Sequence, residues 1–166
     1  MATAIFYASS TGNTEYIAKS ISKELGDIEL IDIANDGVKS MTQYDKVILG
    51  LATWGDGELQ DDWDELWDDF KEIDFSNKTV AMFGLGDQEG YGENYVDALG
   101  IAYEHLIQTD AKLVGKWAST EEYFYDESRA IVDDMFVGLA LDEDSQDDLS
   151  EERVTRWCED ISKDIL

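Results

Sequence analysis

The sequence alternates between short, continuously apolar runs and segments of helical period, and nothing else in it narrows the fold as much. Residues 3–7, 28–33, 46–51 and 79–83 read as strands, the third being the most apolar. Residues 13–25 place Ile17, Ile21 and Leu25 at helical spacing and stop at Gly26. Leu59, Trp63, Leu66, Trp67 and Phe70 share one face of a second helix, and residues 93–108 form a third with Val96, Leu99, Tyr103 and Leu106 inward. Two short strand candidates follow at 112–116 and 136–141. The last helix, 150–166, carries Val154, Trp157, Ile161 and Ile165, with Ser150 as its expected N-cap. Strands that are apolar throughout are buried on both faces, and amphipathic helices between them supply the cover. The expectation is one α/β domain over residues 1–166, a doubly wound parallel sheet with helices on both sides. Such sheets bind ligands outside the carboxyl ends of their strands, so chemistry belongs in the loops after the first, third and fourth strands. Residues 117–135 are too long for a plain connection and read as a functional or partner-facing insert.

Charge removes several function classes. Twelve Lys and Arg against 39 Asp and Glu give −27, the wrong sign for a nucleic-acid backbone or an anionic membrane surface. One Cys (Cys158) and one His (His105) exclude an intrachain disulfide, zinc fingers and four-cysteine clusters. The first residues lack a basic n-region, and the longest strongly apolar run, 47–52, is far below the roughly 20 residues of a membrane helix. A soluble, cytoplasmic protein is expected. Without proline, turns fall to the 13 Gly together with Asn, Asp and Ser.

The first loop reads Ala8-Ser9-Ser10-Thr11-Gly12-Asn13-Thr14 and enters a helix. Hydroxyls around one glycine at a helix N-terminus suit a phosphate, which the unpaired N–H groups and the helix dipole stabilise. The loop has no Lys or Arg and no G-x-x-x-x-G-K-[ST], so a monophosphate fits better than a nucleoside triphosphate. The same residues could serve only as a cap for the helix. After strand three comes Ala52-Thr53-Trp54-Gly55-Asp56-Gly57-Glu58-Leu59, and after strand four Gly84-Leu85-Gly86-Asp87-Gln88-Glu89-Gly90-Tyr91-Gly92. Trp54 and Tyr91, each beside glycine, can sandwich a flat heterocycle, an arrangement worth roughly 0.5–1.5 kcal/mol beyond buried area; either ring could also merely lid the sheet. Gly84-x-Gly86 lacks its third glycine at Glu89 and follows the wrong strand for a dinucleotide fingerprint.

Together these stretches resemble the flavodoxin family: Ser9-x-Thr11-Gly12-Asn13-Thr14, Thr53-Trp54-Gly55-Asp56-Gly57-Glu58-Leu59, Gly86-Asp87-Gln88-x-Gly90-Tyr91, and the run from Phe136 to Asp144. The insert resembles the extra loop of the long-chain subgroup. The resemblance implies a five-stranded sheet of order 2-1-3-4-5, its fifth strand interrupted by the insert, and non-covalent flavin mononucleotide (FMN). Ser9, Ser10, Thr11, Gly12, Asn13 and Thr14 would hold the phosphate. Trp54 and Tyr91 would stack on opposite faces of the isoalloxazine, framed by Ala52, Thr53, Gly55, Asp56 and Gly57. Leu85, Gly86 and Asp87 would meet the pyrimidine edge, with Asn94 and Val96 nearby and Asp144 near the ribityl hydroxyls. Ala52 departs from the family, which usually has proline there. The implied role is a monomeric one-electron carrier rather than an enzyme, cycling mainly between semiquinone and hydroquinone. Its implied partners are an NADP-linked flavodoxin/ferredoxin reductase and photosystem I or other ferredoxin-using enzymes.

The residues agree with a carrier. No G-x-S-x-G, Cys–His pair or metal triad is present. The resemblance implies that the peptide after Trp54 flips toward the flavin, a motion that Gly55 would make cheap. Asp61, Asp62, Asp64, Glu65, Asp68, Asp69, Glu72 and Asp74 oppose only Lys71 in residues 61–74, which disfavours an anionic reduced flavin and lowers its potential. The acid excess calls for partners that are basic around their redox centres, and its extent suggests a high-salt source. Residues 142–153 resemble a calcium loop but carry Asp147 and Arg153 where Gly and Glu belong. An FMN quinone reductase would need a basic dinucleotide pocket that these loops lack. A response-regulator receiver would need an Asp where Thr53-Trp54 stands.

Overall fold

The computed structural model describes residues 2–166. β1 (Thr3–Tyr7) runs into α1 (Asn13–Glu24), and β2 (Glu29–Asp32) into the one-turn α2 (Ile33–Asp36) and a 3-10 turn at Lys39–Gln43. β3 (Lys46–Trp54) doubles back on β4 (Glu58–Leu59), and α3 (Asp61–Glu65) and α4 (Trp67–Lys71) precede β5 (Thr79–Leu85). A 3-10 turn (Gly92–Asn94) and α5 (Asp97–Leu106) lead to β6 (Lys112–Val114). β7 (Trp117–Ala118), β8 (Ile131–Val132) and β9 (Met135–Phe136) form a small antiparallel sheet, before β10 (Leu139–Leu141) and α6 (Asp147–Ile165).

The main sheet has the order β10-β5-β3-β1-β2, parallel throughout. This is the expected 2-1-3-4-5 order. Its fifth position is filled in two halves. Thr79–Ala81 of β5 pair with β6, and Phe83–Leu85 pair with β10, with the insert between. Apolarity on both strand faces explains the layering. Ala4, Phe6, Val47, Leu49, Val80, Met82 and Ala140 pack in one core with Trp63, Phe70, Leu99 and Leu106. Ile5, Tyr7, Ile48, Ala81, Phe83, Leu139 and Leu141 pack in the other with Ile17, Ile21, Trp157 and Ile161 of α1 and α6. Gly50 is required where it stands: a Cβ there would lie 2.4 Å from the Phe83 ring. Among the described residues, no helix is long and apolar enough to cross a membrane.

The structure departs from the sequence reading in several places. β3 continues to Trp54, because Ala52 still pairs with Leu85 and Thr53 and Trp54 then pair with Leu59 and Glu58. Ala52, Thr53 and Trp54 therefore lie on a strand end rather than in a loop, and Leu59 is extended rather than helical. The second helix breaks at Leu66 (φ −96, ψ 6) into α3 and α4. The third starts only at Asp97, because Val96 takes a left-handed conformation (φ 47), which ends any helix from 93. Phe136 belongs to the small sheet. The chain steps at Gly138, whose missing Cβ would sit 2.4 Å from the Met82 carbonyl oxygen, before β10 begins. Ser150 does not cap α6. That helix starts at Asp147, and Ser150 is buried within it. The cause is Asp142, whose carboxylate gathers the N–H groups of Asp144 and Ser145 while its carbonyl accepts from Gln146, winding the chain three residues early.

Candidate functional site

At the carboxyl ends of β1, β3 and β5 lies a cleft of about 330 Å³, within the range of cofactor sites. The first loop contributes Thr11, Asn13 and Thr14. Gly12 sits at φ 94, a conformation costly for other residues, and no side chain caps the first turn of α1. The donors of a twelve-residue helix thus open toward the cleft. Ser9 Oγ accepts from Gly12 N at 3.0 Å and closes the loop. Ser10 Oγ accepts from Gln60 Nε2 at 2.9 Å. Gln60, fully buried, also caps α3 through Asp62 N and Trp63 N. It ties the first loop to the third, a role invisible in the sequence because Ser10 is 50 residues away.

Ala52, Thr53, Trp54 and Gly55 form one wall, and Leu85, Gly86, Asp87 and Tyr91 another. Trp54 and Tyr91 are 42% and 49% exposed, too open for core rings. Both line the same cleft, as a sandwich requires. Gly55 has φ 52, in the left-handed region, and Gly57 is pressed so close that a Cβ would meet Asp97 Oδ2 at 2.6 Å. Thr53 Oγ1 accepts from Ala98 N at 2.9 Å, fixing the start of α5. Asp87 shapes its own loop: its Oδ1 accepts from Glu89 N and Gly90 N, and its carbonyl from Tyr91 N.

The other sequence candidates adjoin the lining residues. Ser9, Ser10, Gly12, Asp56 and Gly57 shape the loops, Asn94 Nδ2 donates to Asp97 Oδ2, and Val96 is wholly buried with its N–H against Gly86. Asp144 lines the cleft as expected, joined by Glu143, which the sequence reading missed. Both carboxyls are pushed above their ordinary range. For Glu143 burial is the main cause, outweighing the lowering effect of the nearby Ser150 hydroxyl, with Asp147, Asp142 and Asp144 adding to the rise. For Asp144 burial leads, followed by repulsion from Asp87 and Asp142. Asp87, Asp142 and Asp144 approach within 4.8 Å of one another. The buried Asp142 carboxylate is committed to protein donors: Gln88 N, Gln88 Nε2, Asp144 N and Ser145 N.

Behind this wall the insert is stitched to the Tyr91 loop. Phe124 N donates to Gln88 Oε1 (2.7 Å), Asp126 N and Glu127 N to Gly92 O, and Arg129 N to Asp97 Oδ1 (2.7 Å). Tyr95, Tyr123, Tyr125 and Phe136 pack ring against ring beneath it. Trp63 is core, its Nε1 donating to Gly50 O; Trp67 stacks on Phe70, and His105 packs edge-on to both. Burial and the nearby Lys71 lower the His105 pKa. Cys158 is buried, which pushes its thiol up to about 12.

A cleft lined by Trp54 and Tyr91 beside an uncapped helix end, with no Lys or Arg among its lining residues, suits a planar heterocycle with an anionic tail. Comparison with known proteins agrees. Residues 5–157 match the family model described as Flavodoxin. The chain is 47% identical over 165 residues to a flavodoxin of Synechocystis, covering 98% of this chain and 96% of that one. To flavodoxin 1 of Escherichia coli K12 it is 46% identical over 166 residues, covering 98% and 94%. A crystal structure of Fusobacterium nucleatum flavodoxin bound to flavin mononucleotide superposes with a TM-score of 0.93 at 31% identity, covering 99% of each chain.

Proposed function

The chain belongs to the flavodoxin family, and from that premise we propose that it binds FMN in the Trp54–Tyr91 cleft and carries single electrons between other redox proteins in the cytoplasm, working mainly between the semiquinone and hydroquinone levels of the flavin. One observation carries the assignment to this site: two half-exposed aromatic rings share a cleft with an uncapped helix end and no cation. The residues fit the group. Thr11, Asn13, Thr14 and the first N–H groups of α1 would hold the phosphate, where dipole and hydrogen bonds substitute for a positive side chain. Trp54 and Tyr91 would flank the ring system, and Leu85, Gly86 and Asp87 would meet one edge of it. FMN supplies the redox chemistry; this chain binds it, limits water access and sets its electrostatics.

The surface charge supports the low-potential part of the reading. Beside the cleft, Asp87, Glu143 and Asp144 add to the carboxylates of α3 and α4, and each disfavours further negative charge on the bound group. The same field favours partners that are basic around their own redox centres, with fast, salt-sensitive and transient docking. An NADP-linked flavodoxin/ferredoxin reductase is the partner class proposed, with photosystem I or other ferredoxin-using enzymes as further acceptors or donors.

FMN added to the flavin-free protein should lose its fluorescence on binding, and Trp54→Ala or Tyr91→Ala should weaken that binding. The loaded protein should be yellow, should not consume NADPH by itself, and should show two separated one-electron steps on reductive titration. Failure to take up FMN, or NADPH oxidation without a reductase, would refute the proposal.

A further inference from the structure

On the far side of the insert a second cavity, of about 210 Å³, opens between β7, the Thr120–Tyr123 turn and α6. Its lining includes three of the chain's 12 cations, Lys116, Arg153 and Arg156. Arg153 is 4% exposed. Its guanidinium lies 4.1 Å above the Tyr123 ring, and its Nη1 donates to Gln146 Oε1 at 2.9 Å. Its Nη2 is buried and has no hydrogen-bond partner. The nearest carboxylate oxygen, on the exposed Glu122, stays 3.9 Å away, too far for a hydrogen bond. Arg156, one turn further along α6, sits 5.8 Å over the Trp117 ring. Neither Arg156 nor Lys116 makes an ion pair within 4.0 Å among the described residues.

Leaving a charged N–H₂ buried with only a distant ion pair and no hydrogen bond is expensive, since the group has given up water and gained no acceptor. A hydrogen-bond acceptor would complete the group, and Lys116 and Arg156 beside it in the lining add the positive charge that favours an oxygen anion in that role. Tyr123 covers a face of the Arg153 guanidinium, while Arg156, 5.8 Å over the Trp117 ring, keeps its N–H edge available to grip an anion, ideally in pairs. Trp117, Met135 and Leu149 give the rest of the cavity an apolar surface. The volume is that of about seven waters, enough for a molecule of about seven to ten non-hydrogen atoms. Glu122, Glu152 and Asp160 also line the rim, and the chain carries −27 overall. Both facts favour a single negative charge over a phosphate dianion. We propose that this cavity is a binding site for a small organic carboxylate, held by Arg153, Arg156 and Lys116 against the Trp117 and Tyr123 rings. It lies apart from the flavin cleft and does not depend on the function proposed above.

The test uses the full chain loaded with FMN, so that the flavin phosphate site is filled. Sodium benzoate is titrated at constant ionic strength while the Trp117 indole N–H and arginine side-chain N–H signals are followed by NMR. A saturable shift confined to Trp117, Arg153 and Arg156 is expected. Replacing both rim cations, Lys116→Gln with Arg156→Gln, should weaken binding about tenfold, and Glu122→Gln should strengthen it. Both cations are exposed, so the fold and the flavin spectrum should not change. Arg153→Met should abolish binding, but because it can also disturb folding the rim variants decide the matter. A shift that never saturates, or that chloride reproduces, or that is equal in the rim variants, would overturn the proposal.

Discussion

Asp142→Asn isolates what holds the Asp87–Tyr91 wall of the cleft in place. The wild-type carboxylate is fully buried and accepts four N–H groups, two on each oxygen: Gln88 N and Nε2 at 3.0 and 3.1 Å, and Asp144 N and Ser145 N at 3.1 and 2.9 Å. Asparagine keeps the shape but turns one oxygen into a donor, so two of the four N–H groups face an NH₂. If these are Gln88's, its Nε2 keeps Gln146 Oε1 at 3.0 Å and its backbone N–H is orphaned. An orphaned buried donor costs about 1–3 kcal/mol, and losing the negative charge weakens the two surviving bonds by about 0.5–1.5 kcal/mol each. Relief of repulsion with Asp87 and Asp144, which lie within 4.8 Å, returns part of this. A net loss of about 2–4 kcal/mol follows, or about 4–16 °C in Tm for a domain of this size. Urea and thermal unfolding at fixed FMN concentration measure it. Because Gln88 adjoins Asp87 and is hydrogen-bonded to the insert, FMN affinity should fall as well. A change below about 1 kcal/mol with unaltered FMN binding would refute this reasoning.

Three further outcomes are expected. Gly55→Val places a β-branched residue at φ 52, at a cost of about 1–2 kcal/mol, and should lower the peak amount of half-reduced flavin in a reductive titration followed by absorption. The Glu143 carboxyl is raised above its ordinary value of 4.5, so between the unfolded and folded pKa the native state binds more protons and stability falls as pH rises. Glu143→Gln should remove that fall, so that stability measured by urea unfolding from pH 4.5 upward declines less than in the wild type. Mutual repulsion among the charges summing to −27 should make the thermal midpoint climb from low salt to molar salt, since the screening length shrinks from about 10 Å at 0.1 M to about 3 Å at 1 M.

Most of the architecture is written locally. Runs such as Val47–Leu51, apolar on both faces, have only one stable home, the middle of a covered parallel sheet, and the helices between them carry their own apolar stripes. That sheet fixes where its strands end, and so places the hydroxyl-rich loop, Trp54 and Tyr91 around one cleft. What the sequence left open depends on partners distant along the chain. The early start of α6 follows from Asp142, whose buried carboxylate is also held by Gln88 54 residues away, and the Tyr91 wall from Gln88 meeting Gln146 across 58 residues. In the insert, Asp133 and Asp134 both adopt positive φ to turn β8 into β9 without a glycine to announce it. Propensity and periodicity describe neighbours within a few residues, and they settle which segments form strands and helices. Pairing of buried polar groups is decided only when the layers close, because only then does an unmet donor lose water and require a particular acceptor.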